Sequence, residues 1–235
     1  MCGRFSAGFS FRDIKVRCNL YGDLEFAPRY NIAPSQSVPV IVKHERGHEA
    51  KLMKWGLVPS WATDPSIGNR MINARAETLL EKPSFKQLVS QRRCIIPADG
   101  FYEWRREGNR KVPVWIHLKN KEPFAFAGLW DSWLDRYSGE VLNTFTIITT
   151  DPNSMLRSIH NRMPVIYDRA MGRQWLEHQF GGSAMRLAAA LRPWPSEYME
   201  AWDVSPLVNS PDNDTPACVQ PFSSRQPTRR QLPLL

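Results

Sequence analysis

Through the middle of the chain, hydrophobic and polar positions alternate with a period of two, the pattern of half-buried strands. The alternation runs through residues 38–42, 52–57, 94–96, 101–104, 112–118, 124–129 and 144–150. Gly108-Asn109 and Ser138-Gly139 fall between such runs and read as hairpin turns. Helical spacing is rarer and predicts helices over residues 11–20, 76–81, 84–89, 169–179 and 183–191. Asp168 and Ser183 stand where N-caps belong, and Gly181 where the fourth helix should stop. Strands with helices inserted between them predict a single α+β domain around a curled, mostly antiparallel β-sheet. The domain is expected to fill residues 1–222. The segment 223–235 (SSRQPTRRQLPLL) reads as a basic, disordered tail.

Composition narrows the classes. The 235 residues are enough for one sizeable core, and no apolar run approaches the ~20 residues that a spanning helix needs. Arg4 and Arg12 come early and no apolar h-region precedes them, so a secretory signal is not expected. Cys2, Cys18, Cys94 and Cys218 form no CxxC pair and no zinc-type spacing. The expectation is a reduced, cytoplasmic protein, nucleoid-associated if bacterial, monomeric, and without metal or cofactor. Thirty-one Lys and Arg against 23 Asp and Glu give a net charge of +8. Such a surface suits phosphate backbones, and exposed members of the nine tryptophans could stack on unpaired bases.

Four stretches place polar residues among strong apolar ones. The first is Met1-Cys2-Gly3-Arg4-Phe5, where loss of Met1 would leave a cysteine with a free α-amine. An amine and a thiol on adjacent carbons can condense with an aldehyde to a thiazolidine, which no internal cysteine or lysine can do. The second runs from Met71 to Glu77, with Asn73 and Arg75 on one side of an extended segment. The third, Pro97 to Trp104, sets Glu103 between aromatics, and the fourth, Ser158 to Val165, carries His160 and Arg162 into a proline turn. Each residue also has a structural reading. Asn73 could hold a turn, Glu103 could pair with Arg105 or Arg106, and His160 could satisfy local backbone.

Taken with Arg29–Pro34 (RYNIAP) and residues 54–61 (KWGLVPSW), the motifs MCGRF, INARAE, ADGFYEW and IHNRMPVI resemble the SRAP family over residues 2–221. Members of that family are abasic-site processing proteins that crosslink themselves to single-stranded DNA. The resemblance implies that Cys2 is the crosslinking residue and that Asn73, Glu103 and His160 line its pocket. It implies autocatalytic removal of Met1, with Arg4, Arg75 and Arg162 on DNA phosphates and Trp61 and Trp104 beside the bases flanking the lesion.

Elementary chemistry supports the assignment of Cys2. An α-amine with pKa near 7.7–8.0 is about 10% free base at pH 7, against about 0.04% for a lysine near 10.4. A neighbouring thiol traps the imine intramolecularly, where effective molarities of ~10⁵ M or more are reached. Two other readings stay open on sequence alone. One is an N-terminal-nucleophile amidohydrolase, with the Cys2 thiolate attacking an amide; the other is a non-catalytic module that binds single strands.

Overall fold

The computed structural model describes residues 2–22, 24–177 and 183–223. In chain order, strand β1 (Phe5–Ala7) is followed by helix α1 (Phe11–Cys18), β2 (Leu20–Tyr21) and β3 (Arg29–Ile32). The hairpin β4 (Ser37–His44) and β5 (Gly47–Trp55) comes next, then β6 (Asn73–Arg75), α2 (Pro83–Gln91) and β7 (Arg93–Ala98). Two further hairpins follow, β8 (Gly100–Glu107) with β9 (Arg110–Leu118), and β10 (Phe124–Leu134) with β11 (Val141–Thr150). Short β12 (Met163–Pro164) and β13 (Ile166–Tyr167), helices α3 (Arg169–Glu177) and α4 (Ala184–Ala190), and β14 (Met199–Asp203) complete the described elements.

The larger sheet closes on itself. β11, β10, β7, β4 and β5 pair antiparallel in that order, and β5 returns to β11 through a parallel contact at Thr144–Lys54 and Phe145–Trp55. Closure removes the exposed edges that an open sheet would leave. The predicted alternation sorts the two faces. Val38, Val40 and Val42 of β4 join Cys94, Ile96 and Ala98 of β7 and Phe126 of β10 in one buried cluster. Ile41, Ile95, Ala125 and Ala127 point the other way, against Phe85 and Leu88 of α2, Trp175 and Leu176 of α3, and Leu187 of α4. Among the described residues, no helix is long and apolar enough to cross a membrane.

A second sheet, ordered β14-β9-β8-β1-β3, lies over the first, and the two share a core. Phe5 of β1 meets Trp55 and Phe126 of the barrel edge-on, with ring centroids 5.2 and 5.6 Å away. Phe101, Val114 and Ile116 of the second sheet belong to the same cluster. The mixed α+β class and the curled, mostly antiparallel sheet are therefore as the alternation indicated.

Both hairpin turns stand where the sequence placed them, with Gly108 and Gly139 at positive φ. Asp168 caps α3 by accepting the Met171 N–H at 2.8 Å, and Ser183 caps α4 by accepting that of Arg186. Two helix readings need correction. The first helix stops at Cys18, because Asn19 takes a left-handed C-cap conformation at φ 49 and Leu20 joins β2. The expected helix over 76–81 is only a 3-10 turn, Ala76–Thr78, since Pro83 holds Lys82 extended (ψ 124) and starts α2 afresh. Gly181, the end of the helix read over 169–179, and nearly all of the tail lie outside the described residues.

The RYNIAP motif ties down the C-terminal segment. The Asn31 amide donates to the carbonyls of Val208, Ser210 and Asn213, while Asp214 accepts the backbone N–H groups of Tyr30 and Asn31 and the Arg29 guanidinium. Arg4 joins this strap through Nη1, which donates to Asn31 Oδ1 at 2.6 Å and to the Val208 carbonyl at 2.7 Å. The residues that precede β1 are thereby anchored on their polar side as firmly as Phe5 anchors them on the apolar one.

Candidate active site around the N-terminal cysteine

Antiparallel pairing of β1 with β8 fixes where the start of the chain meets Glu103. Phe5 lies opposite Phe101, and the Tyr102 N–H donates to the Arg4 carbonyl at 3.0 Å. Continuing that register brings Gly3 opposite Glu103. Side chains alternate along β8, so Glu103 shares the face of Phe101, which is the core face. Tyr102 and Trp104 take the other face, against Trp115 and Val208. A carboxyl placed on the apolar face of a strand is desolvated, and Glu103 is 4% exposed. Burial pushes its pKa up to about 7.

Cys2 is 0% exposed and packs within the shared core. Burial, reinforced by the nearby Glu103 charge, raises its thiol well above the usual thiol range, and Sγ faces the Arg4 carbonyl at 3.9 Å. Asn73 reaches it from the opposite wall. β6 runs parallel to β11 with Asn73 beside Ile147, and Asn73 Nδ2 donates to the Cys2 carbonyl at 2.9 Å. Its Oδ1 is buried with no hydrogen-bond partner among the described residues. An orphaned acceptor at this depth is costly unless something else donates to it.

His160 closes the set. The 3-10 turn Leu156–Ser158 leads into it, and its backbone N–H donates to the Leu156 carbonyl at 2.8 Å. Nδ1 lies 3.9 Å from Glu103 Oε1 and accepts the Arg162 backbone N–H at 3.1 Å. The Arg162 carbonyl lies 3.4 Å from the same nitrogen, and the shorter contact, whose N–H donor is fixed, favours a neutral ring with its proton on Nε2. Burial lowers the pKa of His160, favouring the neutral imidazole. Cys2, Asn73, Glu103 and His160 come from four separate parts of the chain, and the fold brings all four together.

The residues read as DNA contacts are placed less uniformly. Arg75 is exposed on β6, two positions beyond Asn73 and so on its side of the strand, with Ala74 buried between them. Trp61 is 60% exposed in the loop after β5 and lines a groove of about 530 Å³ with Trp133 and Tyr137. Trp104 is half-buried, its Nε1–H donating to Asn209 Oδ1 at 2.8 Å, with the Arg4 guanidinium 5.8 Å above its ring. Arg4 donates to the C-terminal strap through Nη1. Arg162 is 11% exposed and binds Glu77 through both terminal nitrogens at 2.9 Å, Asp151 at 3.0 Å and the Thr149 carbonyl at 2.7 Å. Glu77, the Arg162 partner, was missed although it ends the INARAE motif; its place two residues past β6 was the available signal.

Chemically, the cluster joins a carboxyl that titrates near neutrality, a neutral imidazole with one ring nitrogen already assigned, a carboxamide and a protonated thiol. Such a set can hand protons to and from a group brought beside the first residues of the chain.

Comparison with known proteins places this arrangement. Abasic site processing protein YoqW of Bacillus subtilis is 45% identical over 224 residues, covering 94% of this chain and 99% of that protein. Abasic site processing protein HMCES of Gallus gallus is 34% identical over 94% of this chain and 78% of its own length. A crystal structure of a Bacteroides thetaiotaomicron protein superposes with a TM-score of 0.86 at 32% identity, covering 94% of this chain and all of that one. Residues 1–211 match the family described as SOS response associated peptidase (SRAP), and the chain belongs to that family.

Proposed function

We propose that this protein processes abasic sites in single-stranded DNA by forming a covalent crosslink between Cys2 and the ring-opened sugar. The observation that carries the reading is the convergence of Asn73, Glu103 and His160 on the buried Cys2. The substrate class follows from the similarity to abasic site processing proteins YoqW and HMCES.

In this reading removal of Met1 comes first and frees the Cys2 α-amine, with Glu103 and His160 as the proton carriers for hydrolysis of that peptide bond by the protein itself. The uncharged amine then adds to the C1′ aldehyde to give a carbinolamine. Glu103, near half-protonated at neutral pH, donates a proton to the departing hydroxyl, so water leaves and an imine forms. The Cys2 thiol adds across the C=N bond, sulfur to carbon and proton to nitrogen, closing a thiazolidine with net loss of one water. Burial keeps the thiol protonated, so the amine attacks first and the sulfur closes the ring.

Asn73 holds the Cys2 carbonyl with Nδ2, and its orphaned Oδ1 is an acceptor for the freed amine or a sugar hydroxyl. Arg75, exposed on the same side of β6, is the arginine most available to a flanking phosphate, and Trp61 offers an open ring face to a base. The test is a denaturing gel with abasic and intact oligonucleotides. A band resistant to denaturation is expected with abasic DNA alone, and Cys2→Ala should abolish it while leaving non-covalent binding. A stable band in Cys2→Ala refutes the proposal.

A further inference from the structure

The guanidinium of Arg162 faces inward. Nη1 lies between Glu77 Oε1 and Asp151 Oδ1, and Nη2 between Glu77 Oε2 and the Thr149 carbonyl. Four N–H donors of a planar fork are used on three anchors, and the arginine is 11% exposed while its carboxylate partners are 47% and 80% exposed. The anchors belong to the two strands that build the pocket wall. Thr149 is the penultimate residue of β11, Asp151 follows the strand, and Glu77 sits in the 3-10 turn after β6, the strand that carries Asn73. A two-pronged carboxylate contact fixes both the position and the plane of a guanidinium, which a single hydrogen bond does not.

Two residues earlier in the chain, the same segment carries His160. The backbone N–H of Arg162 donates to His160 Nδ1 at 3.1 Å while the Arg162 carbonyl lies 3.4 Å from the same nitrogen, so the placing of residue 162 decides which ring nitrogen carries the proton. Glu103 is the acidic group against the ring, at 3.9 Å from Nδ1. Were the 160–162 turn to relax, Nδ1 could take up the proton instead and present it to that carboxylate. The other tautomer would then face the reacting atoms.

We infer that Glu77, with Asp151 in support, is a positioning residue: by clamping the Arg162 fork it staples the His160 loop to β6 and β11 and sets the imidazole with its proton on Nε2. Arg162 thereby aligns His160 with Asn73, a task distinct from gripping DNA phosphate. The inference rests on the proposed function only in taking His160 as a participant in the reaction.

The test uses the full-length protein with ¹⁵N-labelled histidine and three variants, Glu77→Gln, Arg162→Lys and Asp151→Asn. Nitrogen shifts of His160 in the DNA-free protein report its tautomer, and single-turnover adduct formation at saturating abasic oligonucleotide reports its alignment. Wild type should show the Nε2–H form. Glu77→Gln keeps the shape and loses the second strong acceptor; it should mix the tautomers and slow adduct formation about tenfold, with non-covalent DNA affinity unchanged. Arg162→Lys keeps the charge and loses the fork, and should do the same, whereas Asp151→Asn should do less. A wild-type tautomer and rate in both Glu77→Gln and Arg162→Lys overturns the inference. So does faster reaction with tighter DNA binding in Glu77→Gln, which would make Glu77 a competitor for phosphate. Absence of any adduct in wild type would instead refute the proposed function, and the tautomer measurement would still decide the role of Glu77.

Discussion

Replacing Glu103 by Gln should stabilise the protein, and by an amount that grows with pH. The carboxyl sits on the core face of β8, where burial raises its pKa from 4.5 to about 7. Between those values the folded chain binds a proton that the unfolded chain has already lost, so stability falls as pH rises through this window. The cost is about 1 kcal/mol at pH 5 and about 3 kcal/mol at pH 8, at 1.36 kcal/mol per pH unit. The N-terminal ammonium pulls this pKa down but burial outweighs it, and Cys2 and His160, the titratable side chains against Glu103, do not offset the cost. Burial keeps the thiol protonated and holds the imidazole towards neutral. Gln carries no charge at either pH, so Glu103→Gln should gain about 2 kcal/mol more over wild type at pH 8 than at pH 5. For a chain of this size that is an additional rise of about 4–8 °C in Tm. Calorimetry of both proteins across pH 5–8 measures it, with single-turnover crosslinking expected to be slower in the variant throughout. A Tm difference that stays flat or shrinks with pH would show that Glu103 ionises without penalty, and would remove the reason for assigning it the proton transfer.

Arg4→Ala should cost about 2–4 kcal/mol in denaturant unfolding, because it removes charged donors from Asn31 Oδ1 and the Val208 carbonyl in a half-buried site. Stability equal to wild type would free Arg4 for a direct DNA role. Arg75→Ala should leave stability within about 0.5 kcal/mol and lower the slope of log K against log salt for single-stranded DNA by about one. An unchanged slope would mean that Arg75 faces no phosphate.

The barrel was legible in the sequence wherever one face of a strand is buried against a different partner from the other. β4 and β7 are buried on both faces, so Val40, Ile41, Ile95 and Ile96 fall in unbroken apolar runs, the mark of strands lying between two cores. Closure was hidden, since the parallel contact between β5 and β11 joins residues some ninety positions apart and leaves no periodic mark. β12 and β13 have two residues each, too few to show any period. Cys2 stood out by its place directly after Met1, and Asn73, Glu103 and His160 because their motifs set polar residues beside apolar ones, where chemistry or a hydrogen bond requires them. The partners of Arg162 and Asn31 were harder to foresee. A guanidinium suits carboxylate and phosphate equally, and Asn31 is satisfied by three backbone carbonyls, which carry no side-chain signature.

The most direct measurement is intact mass spectrometry of the adduct with an abasic oligonucleotide, followed by alkylation of the denatured product. The adduct should weigh as much as the chain without Met1 plus the oligonucleotide, less one water. It should take three alkyl groups where the free protein takes four, because one of the four cysteines has its sulfur in the ring. An adduct that retains Met1, or one that still alkylates at all four cysteines, would contradict capture of the lesion by the Cys2 amine and thiol together.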